Sequence, residues 1–178
     1  MLQKERIYLR PLERGDLPSR VKWVNDPEIR RTLMFDYPLS LAKTQKWFDQ
    51  ILMDKTKINF SIVDVETDNL IGMTGLLNIT PVHGHAQLYI TIGEKTYWGK
   101  RLADEVIGAV LEYGFTEVNL RKIYLYTIPA NERGRKVYER SGFVKEGILK
   151  EHYFCVGAYQ DLCVHAIMRE EWLKSIKQ

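Results

Sequence analysis

Between Tyr89 and Phe143 the residues able to do chemistry fall at the joints between elements. An apolar run, Leu88-Tyr89-Ile90-Thr91-Ile92, leads into the turn Tyr97-Trp98-Gly99-Lys100-Arg101-Leu102-Ala103, and an amphipathic helix follows at once. A strand, a tight glycine-bearing loop and a helix N-terminus together make a site for a pyrophosphate. The first N–H groups of a helix have no intrahelical acceptor, and the helix dipole favours negative charge there. A second strand, Lys122 to Ile128, runs into Pro129-Ala130-Asn131, and a short helix then carries Tyr138 and stops at Gly142-Phe143. A tyrosine so placed can donate a proton to a leaving group. The combination suits acyl transfer from a carrier that bears a pyrophosphate.

The elements that must hold these residues can be read in order. Ile7-Tyr8-Leu9-Arg10 reads as a short strand, Asp16-Leu17-Pro18 opens a helix and Asp26-Pro27 opens another. Ser40 is an N-cap for a helix that sets Leu41, Thr44, Trp47, Phe48, Ile51 and Leu52 on one face. Phe60 to Val65 and Leu70 to Leu76 form a hairpin around Glu66-Thr67-Asp68-Asn69. Ala86 to Ile92 alternates, and the helix after the glycine loop sets Leu102, Val106, Ile107, Val110 and Leu111 on one side. Ile123 to Ile128 is a further strand, and Gly147 to Phe154 with Tyr159 to Met168 make a closing antiparallel pair around Val156-Gly157. The order β-α-α-α-β-β-β-α-β-α-β-β predicts an α/β (α+β) layer fold on a mixed, mostly antiparallel sheet.

Length and composition narrow the classes. The 178 residues, 45% of them apolar, suffice for one domain over 1–178 with a full hydrophobic core. No apolar run approaches the roughly 18 residues of a membrane span. The charged start Met1-Leu2-Gln3-Lys4-Glu5-Arg6 lacks the apolar segment of a secretory signal, so a cytoplasmic protein is expected. Cys155 and Cys163 have no metal-like spacing and read as free thiols, so no metal is expected. The net charge of +3 is mild. Basic clusters at Arg30-Arg31, Lys100-Arg101, Arg121-Lys122 and Arg133, Arg135, Lys136 lack the bias or the module of a nucleic-acid binder. They read as solvated faces or as contacts to a small polyphosphate.

The element order with these joints resembles the GNAT superfamily of acyl-CoA N-acetyltransferases over nearly the whole chain. The opening Leu9-Arg10-Pro11-Leu12-Glu13-Arg14-Gly15-Asp16-Leu17 and the turn Trp98-Gly99-Lys100 resemble the ribosomal-protein and spermidine N-acetyltransferase branches. Asn131, Tyr138, Gly142-Phe143 and Glu146-Gly147 match the family's closing helix and strand. The family loop reads Gln/Arg-x-x-Gly-x-Gly/Ala; here Trp98 stands first, Arg101 replaces the glycine, and Ala103 fits.

The resemblance implies a GNAT-like central sheet with helices on both faces, strands splayed at the cofactor, and acetyl-CoA as acetyl donor. It implies that Trp98, Gly99, Lys100, Arg101, Leu102 and Ala103 hold the pyrophosphate and that Ile90, Thr91 and Ile92 offer backbone groups to the pantetheine amides. Asn131 and Arg135 would contact the cofactor arm, with a helix N-cap as the other reading of Asn131. Tyr138 would be the general acid, or else a packing tyrosine. Relatives often carry a glutamate where Gln87 stands; His83, His85, Glu94 or a water chain are the remaining bases. The acceptor is a primary amine: a polyamine, an amino sugar, another small amine or a protein N-terminus. It is expected near Glu28, Phe35, Asp36, Tyr37 and Gln87, with Glu13 a further acid, although Asp36-Tyr37 stands where the spermidine enzymes carry paired acids. A homo-oligomer is a further expectation. An acyl-CoA-binding module without turnover is the principal alternative, and an RNA-associated protein a third.

Overall fold

A computed structural model describes residues 1–34, 37–155 and 157–176. Its strands are β1 (Leu2–Gln3), β2 (Ile7–Pro11), β3 (Ile58–Asp64), β4 (Leu70–Thr80), β5 (His85–Ile92), β6 (Lys122–Thr127), β7 (Val144–Cys155) and β8 (Ala158–Met168). The helices are α1 (Leu17–Asn25), α2 (Pro27–Arg30), α3 (Leu41–Ile51), α4 (Leu102–Thr116), α5 (Glu132–Arg140) and α6 (Arg169–Ser175). The strands form one sheet in the order β1-β2-β3-β4-β5-β6-β8-β7. Every neighbouring pair is antiparallel except β5 and β6, which α4 joins as a crossover.

Alternation along the strands sends apolar side chains to both faces. On one face Ile7, Leu9, Ile62, Ala86, Leu88, Ile123 and Leu125 pack against Val106, Ile107, Val110 and Phe115 of α4. Each such side chain contributes on the order of 1.5–3 kcal/mol when fully buried. On the other face α1, α2 and α3 bury Leu17, Trp23, Val24, Ile29, Leu33 and Phe48 against Met73, with Tyr89 and Trp98 at the edge of the cluster. Local chemistry starts these helices. Ser40 Oγ accepts from Lys43 N at 3.1 Å, and Asp26 Oδ1 accepts from the backbone N–H groups of Glu28 and Ile29.

Sequence and structure differ mainly at boundaries. β3 begins at Ile58, β4 runs on to Thr80 and β7 begins at Val144. Two elements had no sequence signal. β1 pairs only Leu2 with Leu9 and Gln3 with Tyr8. α6 carries one buried anchor, Trp172, whose ring lies 5.3 Å from that of Phe115; one apolar residue makes no periodicity. The closing pair turns at Gly157, at φ +78°, whereas Val156 lies outside the described residues.

Candidate active site

The parallel pair β5–β6 is short. It joins His85 to Lys122, Ala86 to Ile123 and Gln87 to Tyr124, and no partner pairs follow. Beyond Gln87, β5 continues on β4 and β6 continues on β8. The strands thus part toward their C-terminal ends, the end at which open α/β sheets bind ligands. Both the 99–103 loop, which follows β5, and α5, which follows β6, sit at that end.

Register decides which backbone groups face the gap. Gly93 N donates to Ile71 O at 2.8 Å. Hydrogen bonding alternates along an antiparallel ladder, so Thr91 and Tyr89 turn their N–H and C=O toward β4, opposite Met73 and Gly75. Ile90 and Ile92 turn theirs toward the gap. Of the expected trio, Thr91 is therefore directed away. The Ile92 carbonyl already accepts from Trp98 Nε1 at 2.9 Å, a bond that ties the start of the loop to the end of β5.

Gly99 sits at φ +78° and Arg101 at φ +60°, ψ +19°, with Lys100 at negative φ between them. Left-handed residues of this kind recur where backbone N–H groups converge on an anion. A Cβ on Gly99 would meet nothing within 4 Å, so the rim is open. Arg101, the N-cap of α4, makes no side-chain cap, and the N–H groups of Leu102 and Ala103 keep no intrahelical acceptor. These N–H groups are available to an anion.

Acids in the first turn of α4 would repel that ligand, but they are neutralised. Asp104 is paired with Arg101 Nε at 3.1 Å and Arg140 Nη2 at 3.0 Å. Glu105 receives Arg6 Nε at 2.5 Å and Arg6 N at 3.0 Å. Arg6 Nη1 also donates to Lys100 O at 2.9 Å, so residue 6 braces the loop from 94 positions away. No sequence signal announces that brace. The Arg101 guanidinium is committed to Asp104, and Lys100 Nζ lies 4.9 Å from the Tyr97 ring centroid.

α5 brings the remaining groups. Asn131 Oδ1 accepts from Gly134 N at 3.0 Å, so the N-cap role is present. Arg135 is exposed and faces Glu139 at 4.0 Å. Tyr138 packs against the core cluster on the α4 face of the sheet, and its ring meets Phe143 edge-on at 6.0 Å. Burial pushes its phenol up to about 12.

The acceptor-side residues are more dispersed. Glu28 pairs with Lys95 at 2.8 Å, and Arg30 lies 4.0 Å from the centroid of the Tyr37 ring. The Glu28 carboxylate and one Tyr37 face are thus occupied by the protein's own cations. Phe35 and Asp36 lie outside the described residues. Gln87 Oε1 accepts from Asn78 Nδ2 at 3.1 Å. Glu94 accepts from Trp23 Nε1 at 2.9 Å and Lys22 Nζ at 3.0 Å, which hold its carboxyl below the usual range. His83 and His85 stack at 5.9 Å, and His85 Nδ1 is buried without a hydrogen-bond partner among the described residues.

Sequence reading missed a cavity of about 260 Å³ between α1, α3 and β3–β5, walled by Arg20, Lys43, Trp47, Lys57, Asn59 and Tyr89. Thr44 and Trp47 read as core positions of α3, and both line this space. No helix in the described residues is long and apolar enough to cross a membrane, and no metal-ligand cluster occurs among them.

Comparison with known proteins agrees with this geometry. Residues 6–144 match the family model described as acetyltransferase (GNAT) domain. Spermidine N(1)-acetyltransferase of Vibrio cholerae is 33% identical over 94% of this chain and 95% of its own length. The Escherichia coli K12 enzyme of the same name is 30% identical over 96% of this chain and 90% of its own. A crystal structure of the Vibrio cholerae enzyme with CoA and spermine superposes with TM-score 0.89 at 33% identity, covering 94% of this chain and 98% of that one. With this match and a splayed parallel pair, the chain belongs to the GNAT acetyltransferase family and is an N-acetyltransferase whose acetyl donor is acetyl-CoA.

Proposed function

We propose that the chain acetylates a primary amine by direct transfer, with the residues of the splayed pair and of α5 in the following roles. The observation that carries this is the gap beyond Gln87, where the free edge at Ile90, the 99–103 loop and the helix bearing Tyr138 meet at one end of the sheet. The donor supplies an activated acetyl thioester. The N–H groups of the loop through Ala103 hold its pyrophosphate. The backbone of Ile90 and the N–H of Ile92 pair with its amide arm, with Asn131 beside it, and a strand N–H stabilises charge on the thioester oxygen. Holding both reactants in line makes the attack effectively unimolecular.

Tyr138 donates its Oη proton to the departing sulfur. With its phenol pushed up to about 12, the group is neutral and protonated at neutral pH. Transfer therefore occurs as basicity develops on sulfur rather than by prior ionisation. Gln87 cannot take the amine's proton, and Glu94 is committed to Lys22 and Trp23. His85 pairs with Lys122 at the closed end of the β5–β6 pair, away from the gap, so we assign the amine's proton to a water chain. The amine approaches from the α1–α3 side of the sheet. A thiol-release assay with acetyl-CoA and a panel of amines (spermidine, an amino sugar, a peptide N-terminus and small amino acids) tests the reading. Amine-dependent release is expected; acetyl-CoA binding with no release for any amine would replace the enzyme by a binding module.

A further inference from the structure

Arg6 joins the sheet to the 99–103 loop. Its backbone N–H and Nε donate to the Glu105 carboxylate at 3.0 and 2.5 Å, and Nη1 donates to Lys100 O at 2.9 Å. Its own carbonyl accepts from Val65 N at 3.0 Å, and Ile7, the next residue, pairs with Asp64 in the β2–β3 ladder. The stem of the side chain is therefore fastened to the sheet. The Glu105 side chain is only 18% exposed, so the carboxylate that grips Nε is itself held in place. A guanidinium is a rigid planar fork. With its stem and its Nε both fixed, Nη1 has little freedom except to meet the Lys100 carbonyl.

What that bond fixes is a peptide plane. The unit between Lys100 and Arg101 is planar and trans, so its C=O and the N–H of Arg101 point in opposite directions. Holding Lys100 O toward Arg6 holds the Arg101 N–H away from it. That N–H has no acceptor among the described residues. The plane needs a hold, because Arg101 stands at φ +60°, a conformation that a residue with a Cβ keeps only where its surroundings impose it. Rotation of the plane would relieve Arg101. It would also turn the N–H off the anion and present the Lys100 carbonyl, an acceptor, in its place.

We propose that Arg6 is a positioning residue for the acetyl donor: by holding Lys100 O it fixes the 100–101 peptide so that the Arg101 N–H faces the pyrophosphate. Arg6 acts through the loop and does not touch the donor. The proposal rests on the placement of the pyrophosphate at this loop given above.

The test compares two donors with one amine, the best acceptor in the thiol-release panel. Acetyl-CoA carries the pyrophosphate; S-acetylpantetheine carries the same thioester and amide arm without it. Wild type should favour acetyl-CoA by about 100-fold or more in kcat/KM, since several charge-assisted hydrogen bonds to phosphate separate the two donors. Arg6→Lys keeps a cation beside Glu105 but gives up the planar fork that sets Nη1 against Lys100 O. In Arg6→Lys and in Arg6→Gln the preference should fall about tenfold, the order of one such bond. The loss should be carried by KM for acetyl-CoA, with kcat/KM for S-acetylpantetheine moving by less than about twofold, because that donor never meets the loop. Calorimetry with coenzyme A and with pantetheine should show the same difference in affinity without turnover, so the outcome does not depend on the acceptor.

A wild-type preference near one would remove the pyrophosphate from the loop and fail the placement on which the proposal rests. A large wild-type preference that both variants keep would leave that placement standing and overturn the role of Arg6. Equal loss for both donors would make Arg6 a general prop of the fold. A preference kept in Arg6→Lys and lost only in Arg6→Gln would assign the effect to charge beside Glu105 rather than to the held peptide. Either result overturns the proposal, and should Arg6→Gln not fold, Arg6→Lys alone decides.

Discussion

Tyr138 is a residue whose environment and role can be separated by one atom. Its ring packs against Phe143 and the cluster around Ile90, and burial pushes the phenol up to about 12. Tyr138→Phe keeps the packing and removes the proton. Acid–base assistance typically contributes about 10²–10⁴-fold, so kcat should fall by that order while acetyl-CoA affinity changes little. The direction of the shift adds a pH test. A phenol raised from 10.0 to about 12 stays protonated throughout the alkaline range in which an ordinary tyrosine ionises. A fall in kcat centred near pH 10 in wild type would show that the Tyr138 phenol is not raised, and the same fall persisting in Tyr138→Phe would show that the acid is another group. The type and spacing of this residue were legible from Asn131, Tyr138 and Gly142-Phe143. Its desolvation was not, because that comes from packing against Phe143 and the core of the sheet, which no local pattern shows.

At the scale of elements, the end of β5 is where both sides of the sheet are fastened. Gly93 follows Ile92 and lies under the Trp23 indole of α1, so that a Cβ there would stand 2.0 Å from Trp23 Cδ2. The same indole donates to Glu94 at 2.9 Å. This contact fixes α1 against the end of β5, which in the proposed mechanism separates the acceptor side from the donor. Gly93→Ala should cost about 1–3 kcal/mol, the usual penalty for overpacking a core site, measured by denaturant unfolding. It should also raise KM for the amine, because Trp23 and α1 must yield. An unchanged unfolding midpoint would mean that Trp23 moves at no cost and that the clamp is absent. Local elements were readable because helices α1, α2 and α3 carry their own start signals and α4 its own stripe. Contacts such as Gly93 with Trp23, or Arg6 with Glu105 and Lys100, join positions about 70 to 99 apart in sequence and leave no local periodicity. The cavity was hidden for the same reason: its walls come from α1, α3, the turn before β3, and the strands β3 to β5.

For the whole molecule, the pyrophosphate site proposed at the 99–103 loop should couple ligand binding to stability, and the loop's two left-handed backbone positions should behave in opposite ways. A ligand that binds only the native state at 100 times its Kd stabilises it by about 2.7 kcal/mol. For a chain of 178 residues, at roughly 2–4 °C per kcal/mol, acetyl-CoA should raise Tm by about 5–10 °C. At Arg101, φ +60° is a conformation that costs a residue with a Cβ roughly 1–2 kcal/mol, which glycine avoids. Arg101→Gly also loses the exposed pair with Asp104, worth at most about 1 kcal/mol. The ligand-free Tm should thus hold or rise slightly, and the shift with acetyl-CoA should persist, since glycine keeps the N–H that faces the anion. At Gly99, φ +78° with open space around the Cβ position lets Asp and Asn enter at similar backbone cost. Only Asp brings a negative charge beside the pyrophosphate. Differential scanning calorimetry should therefore show the acetyl-CoA shift largely kept in Gly99→Asn, strongly reduced in Gly99→Asp and intact in Arg101→Gly. Equal shifts for Asn and Asp at 99 would place the pyrophosphate away from this loop. A lost shift in Arg101→Gly would mean that the arginine side chain, and not its backbone N–H, holds the ligand.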